Sequence, residues 1–133
     1  MLGHGLGAEI ITLGLSGSVI RSSVKEVGWF QVDRMENSIA SEWFSDTEKR
    51  CFNIFQWHRQ ATSTPEGGMP ILKSKWDPCE AYAQDNILAN QGHLEITKEM
   101  VYQWLSYFDE DIAEPVNETR ADEKLTLIWD ANI

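Results

Sequence analysis

Apolar positions recur along this chain in two rhythms, and the change of rhythm marks its elements. Residues 3 to 18 mix Gly3, Gly5, Gly7, Gly14 and Gly17 with Ile10, Ile11, Leu13 and Leu15. That mixture predicts a glycine-rich turn feeding a short helix that ends near Ser16-Gly17. Val27 to Val32 and Phe52 to Trp57 carry the aromatic and β-branched content of strands. Ser41 to Lys49 reads as a polar, solvent-facing connection with room for a helical turn, and Thr62 to Pro70, with two prolines and the Gly67-Gly68 pair, reads as a loop. Ile87-Leu88-Ala89 is a short apolar run of strand character. Met100, Val101, Trp104, Leu105 and Phe108 then fall at helical spacing, giving a stripe that packs on a sheet as core. No internal repeat is visible, and strands alternating with helical stretches predict α/β layering.

Composition narrows the picture. With 133 residues and 42% hydrophobic content, the chain fits one globular domain, a size that buries roughly two-thirds of its unfolded surface. No run of about 18 uncharged apolar residues could span a bilayer, and Met1 to Ser18 lacks the pattern of a signal peptide. The expectation is a soluble cytoplasmic protein without membrane contact. The 21 acidic and 11 basic residues leave a net charge of −10, which repels phosphate backbones and argues against a nucleic-acid partner. Cys51 and Cys79 have no CxxC spacing and read as reduced thiols, not as a zinc site or redox pair. From Asp109 to Lys124 the sequence is acidic without apolar period, so the expected division is an α/β domain over 1–108 and an acidic segment over 109–133. Leu125 to Trp129 could dock back as a short element. The Asn117-Glu118-Thr119 sequon is expected to go unused.

The candidate chemistry lies in Gln91-Gly92-His93-Leu94-Glu95-Ile96-Thr97. Here an apolar run, a turn and a helix start converge on one His and one carboxylate. Residues two apart in extended or tightly turned backbone project to the same side, so Glu95 can hold the His93 imidazole in one tautomer and stabilise its protonated form. That is the arrangement of a general base and its orienter. His4 reads as a turn residue.

Several ordered motifs carry a family resemblance. Trp57-His58, Pro65-Glu66-Gly67, Leu72-Lys73-Ser74, Cys79 and Gln91 to Thr97 with Trp104 resemble, in order and spacing, the C-terminal half of class I glutamine amidotransferases. Val24-Lys25-Glu26-Val27-Gly28-Trp29 resembles the Lys-Glu-Ile-Gly-Trp segment of their stand-alone, GMP-synthase-like branch. The similarity covers most of residues 3 to 108. It implies a flavodoxin-like α/β domain that hydrolyses glutamine to glutamate and ammonia without a cofactor. In that chemistry a Cys on a sharp strand-to-helix turn attacks the amide, a His moves the proton and a Glu orients the His. His93 and Glu95 match the last two.

The nucleophile position does not match. The family's Cys-x-Gly-x-Gln elbow, counted back from Trp29 without a gap, falls on Gly5-Leu6-Gly7-Ala8-Glu9, with Gly5 at the Cys position. A second register sets Met1 there, with Gly3-His4-Gly5 behind it, and also supplies no thiol. Loss of a triad nucleophile removes roughly a million-fold of rate. Glu9 brings a carboxylate where a neutral amide meets substrate, and Arg59-Gln60 and Cys79-Glu80-Ala81-Tyr82-Ala83 depart from the family's pocket segments. The family also carries strands, helices and oxyanion-hole donors before the elbow, which here lies almost at residue 1.

The resemblance therefore implies an amidotransferase-like domain impaired in catalysis, with His93, Glu95 and the Gly5 position as its triad and Leu6, Glu9 and His58 at the glutamine site. An alternative is a non-catalytic module that pairs with a second copy or another chain through an open sheet edge. A metal site on His93, Glu95 and the acidic tail lacks a third ligand at recognisable spacing, so no metal is expected.

Overall fold

The computed structural model describes residues 1–107. Its elements are β1 (Leu2–His4), α1 (Leu6–Gly14), β2 (Val19–Arg34), α2 (Ser38–Trp43), β3 (Cys51–Thr62), β4 (Met69–Lys73), β5 (Ala81–Gln84), β6 (Ile87–Asn90) and α3 (Lys98–Tyr107). The six strands form one sheet in the order β1-β6-β5-β4-β2-β3. β1 pairs with β6 in parallel, with Leu2 beside Leu88 and His4 beside Asn90. The other ladders are antiparallel.

Strand periodicity places the helices on both faces. Ile54, Ala81 and Ala83 share a core cluster with Val32, Ile71 and the α2 residue Ala40. Their sequence neighbours Phe55 and Tyr82 therefore point to the other face, where Phe55 packs with Val101 and Trp104 of α3. Tyr82 packs with Ala8 of α1, Cys79 and Ala89. Within that packing the Thr12 hydroxyl donates to the Ala8 carbonyl at 2.8 Å and lies 2.9 Å from the Tyr82 hydroxyl. Asn37 caps α2, accepting from the Ala40 amide through its side chain.

Most expected elements are present, with altered bounds. β2 and β3 run well beyond the apolar runs 27–32 and 52–57, because two paired strands extend as far as their ladder continues, from Val19↔Thr62 to Asp33↔Cys51. The expected loop 62–70 is correspondingly shorter, since Thr62 ends β3 and Met69 begins β4. The helical turn expected within 41–49 begins earlier, at Ser38, under its Asn37 cap. His4, expected in a turn, ends a strand. Phe108, the 109–133 segment and the docking element over 125–129 lie outside the described residues.

Candidate functional site

The site begins with a close approach of β1 to the helix that follows it. A Cβ on Gly3 would come within 2.6 Å of Ile11 Cδ1 and 2.7 Å of the Gly7 backbone, so the bare glycine lets α1 fold back on its own strand. Between them Gly5 turns the chain at φ 50° and ψ −117°, a conformation that costs a residue with a side chain. Its amide donates to the Asn90 carbonyl at 3.0 Å, and its carbonyl accepts from the Glu9 amide at 3.1 Å. A strand, a sharp single-residue turn and a helix start are the geometry of a nucleophile elbow.

His93 faces this turn from the loop after β6. Its amide donates to the Phe55 carbonyl at 2.8 Å, and its ring lies edge-on to Trp104, with centroids 5.0 Å apart. Nδ1 donates to Glu95 Oε1 at 2.8 Å, so in the neutral ring Nε2 carries the free lone pair. A Cβ built on Gly5 would lie 3.2 Å from that Nε2 and 3.0 Å from Cε1. His4, at the end of β1, reaches the same carboxylate, with Nδ1 3.6 Å from Glu95 Oε2. Partial burial pushes the Glu95 carboxyl up, but the hydrogen bond from His93, a backbone hydrogen bond and the charges of His93 and His4 outweigh it, leaving it below the usual range.

The remaining predicted residues divide. Glu9, in the first turn of α1, accepts from Gln91 Nε2 at 3.0 Å, which ties the elbow helix to the loop carrying His93. Leu6 follows Gly5 directly but is 70% exposed. His58 makes its polar contacts away from the Gly5–His93 pair. Its Nδ1 donates to the Gln60 carbonyl at 2.8 Å, while Nε2 lies 2.9 Å from Gln56 Oε1 and 3.5 Å from Glu26 Oε2.

That second cluster escaped the sequence reading. Glu26, Gln56 and Glu80 are buried, and Gln56 Nε2 donates to Glu80 Oε2 at 3.2 Å. Burial first, then the charges of Glu80 and Asp77, pushes Glu26 up to about 8. Burial, with Asp77 adding, likewise pushes Glu80 up to about 7. Burial pulls His58 down to about 4, and it drives the Cys79 thiol up to about 11. A thiol so raised is not an activated nucleophile. The signal available beforehand was period two: Glu26 sits at a buried-face position of β2, opposite His58 in the β3 ladder.

The fold is the flavodoxin-like α/β fold of class I glutamine amidotransferases. A solved glutamine amidotransferase from Methylobacillus flagellatus matches at 29% identity and a TM-score of 0.79, over 93% of this chain and 49% of that one. A glutamine amidotransferase from Thermotoga maritima matches at 20% identity and a TM-score of 0.74, over 84% of this chain and 47% of that one. This chain thus spans about half the length of the structures it matches. No protein-family model matches the sequence, and no curated protein matches it. Among the described residues no helix is long and apolar enough to cross a membrane.

Proposed function

We propose that this chain is a glutamine amidotransferase-like half-domain that keeps the His-Glu part of a Cys-His-Glu triad and does not itself turn over glutamine. The reading rests chiefly on one observation: the Cβ direction of Gly5 leads to within 3.2 Å of His93 Nε2. A thiol at position 5 would give its proton to that lone pair. The imidazolium so formed is held by Glu95, and the thiolate is free to attack the amide carbon of glutamine. Collapse of the adduct returns the proton from His93 to the departing ammonia, and water then releases glutamate. With glycine at position 5 the sequence of steps has no first bond to form. Leu6 and Glu9, next to the elbow, are the residues we assign to the glutamine side; His58, whose ring nitrogens face Gln60, Gln56 and Glu26, is not among them.

The test is glutamine hydrolysis by the purified chain, by Gly5→Cys, and by Gly5→Cys with His93→Ala. The expected result is turnover in Gly5→Cys alone. Turnover by the chain as it stands would overturn the assignment of Gly5. Inactivity of all three would move the reading to binding.

One feature favours a second reading, an interaction module. Leu6, Ile10 and Leu13 of α1 are 70%, 61% and 58% exposed, beside exposed Met1 and Leu2 at the β1 edge. An apolar helix stripe next to an edge strand suits a partner that continues the sheet and covers α1.

A further inference from the structure

We propose that Glu26, His58 and Glu80 bind a divalent first-row cation, a structural clasp joining β2, β3 and the segment that enters β5. One ligand atom from each of the three residues fits within a 4.8 Å group. The cross-strand pair His58 Nε2 and Glu26 Oε2, 3.5 Å apart, is close to the roughly 3.3 Å between neighbouring ligands of a tetrahedral ion with bonds near 2.0–2.1 Å. Two carboxylates and an imidazole suit zinc or manganese, and two negative charges against one dication leave the pocket neutral.

Hydrogen bonding makes the stronger argument. His58 Nδ1 must donate, because its partner, the Gln60 carbonyl, can only accept. A neutral His58 then presents a bare lone pair at Nε2, and the atoms facing it are oxygens, Gln56 Oε1 and Glu26 Oε2. Turning the Gln56 amide over supplies His58 with a donor but sets an oxygen against Glu80 Oε2. Either way the cluster lacks one proton or one cation. Glu26 Oε1 and Glu80 Oε1 are buried without a hydrogen-bond partner, on residues each 1% exposed. Such atoms are costly to leave unpaired. A cation on Nε2 and the carboxylates meets these needs together, with Gln56 Oε1 available as a further oxygen ligand. A ring whose other N–H is fixed on a backbone carbonyl is the usual posture of a ligating histidine.

The clasp bears on the loop that carries His93. The Gln91 amide donates to the Glu80 carbonyl at 2.8 Å, and a Cβ on Gly92 would meet Gln56 at 3.0 Å.

The test uses the full chain stripped with chelator, titrated with zinc and with manganese. Metal content is measured by mass spectrometry, affinity by chelator competition, and stability by thermal unfolding. One equivalent is expected to bind and raise Tm. Glu26→Gln and Glu80→Gln should each weaken binding by more than about tenfold, while Glu48→Gln, at an exposed position outside the cluster, leaves it unchanged. Glu26→Gln is similar in shape and removes a buried charge, so it should melt higher than the stripped parent while no longer responding to metal. That combination separates ligand loss from misfolding. No binding by the parent would overturn the proposal, and so would binding that survives both glutamine variants or is lost with Glu48→Gln. In each case protons shared among the carboxylates would be the remaining account of the cluster.

Discussion

The amide of His93 donates to the carbonyl of Phe55 at 2.8 Å, an isolated antiparallel bridge that ties the loop after β6 to the far strand β3. Phe55 is fully buried, with Trp29 edge-on at 5.6 Å and Trp57 tilted at 6.1 Å between ring centroids. The backbone that positions the imidazole and the side chain that fills this core thus belong to one residue. Phe55→Ala is expected to destabilise the chain by about 3–5 kcal/mol, measured by urea unfolding. A loss under about 1 kcal/mol would mean that the aromatic cluster closes over the gap.

The turn at Gly5 gives a second expectation. At φ 50° and ψ −117° a side chain brings strain, so Gly5→Ala should cost about 1–3 kcal/mol. Gly5→Cys should carry the same penalty, and its glutaminase assay should be run well below its melting temperature. Equal stability of parent and Gly5→Ala in urea would contradict a turn that only glycine adopts without strain.

Stability should depend on pH with a definite sign. Glu26 and Glu80 rise from 4.5 to about 8 and about 7 in the folded chain. Through that window the folded state holds protons that the unfolded state has released, so the contribution of these two carboxyls falls as pH rises and is spent above about 8. His58, lowered from 6.5 to about 4, acts oppositely: between those values the unfolded state binds the extra proton, and stability rises with pH. Above pH 6.5 the carboxylates act alone, so the metal-free chain should lose stability from there to about pH 8. Glu26→Gln should flatten that decline in chemical denaturation followed across pH. A parent chain whose stability climbs over the same range would refute the assignment.

How much of this was legible in the sequence depends on the reach of each interaction. The His93–Glu95 pair lies within a single turn, and the spacing of the two residues specified it. The α3 stripe was legible from Val101 and Trp104, which do pack on Phe55. Gly5 opposite His93 was reached by counting from Trp29, through the family resemblance, because periodicity says nothing about residues brought together by a parallel ladder. The Glu26–His58–Glu80 cluster was not found, since it depends on the β2–β3 register, and that register slips between Arg21 and Glu26. His4 was misjudged for a related reason: three residues of strand are too short to show a period, and their pairing with β6 comes from far along the chain.

The exposed stripe of α1 leads to a fourth expectation. If Leu6, Ile10 and Leu13 meet a second copy or a partner, the isolated chain should self-associate with rising concentration, and Ile10→Glu should suppress this while leaving the far-ultraviolet dichroism unchanged. Sedimentation velocity checks both. A chain monomeric at high concentration would exclude the second copy.

The pairing of Leu2 with Leu88 has a consequence for the order of assembly. The β2–β3 ribbon, the β4–β5 ladder and the β5–β6 hairpin join residues near one another in sequence and can form early. β1 joins them by closing nearly the whole described length, and contacts so distant in sequence form slowly. Gly5 meets His93 across that last seam, so the two halves of the site come together when folding ends and part first when the edge opens. Amide exchange should therefore be fastest along β1, and whatever occupies its free edge would act on the site as a latch.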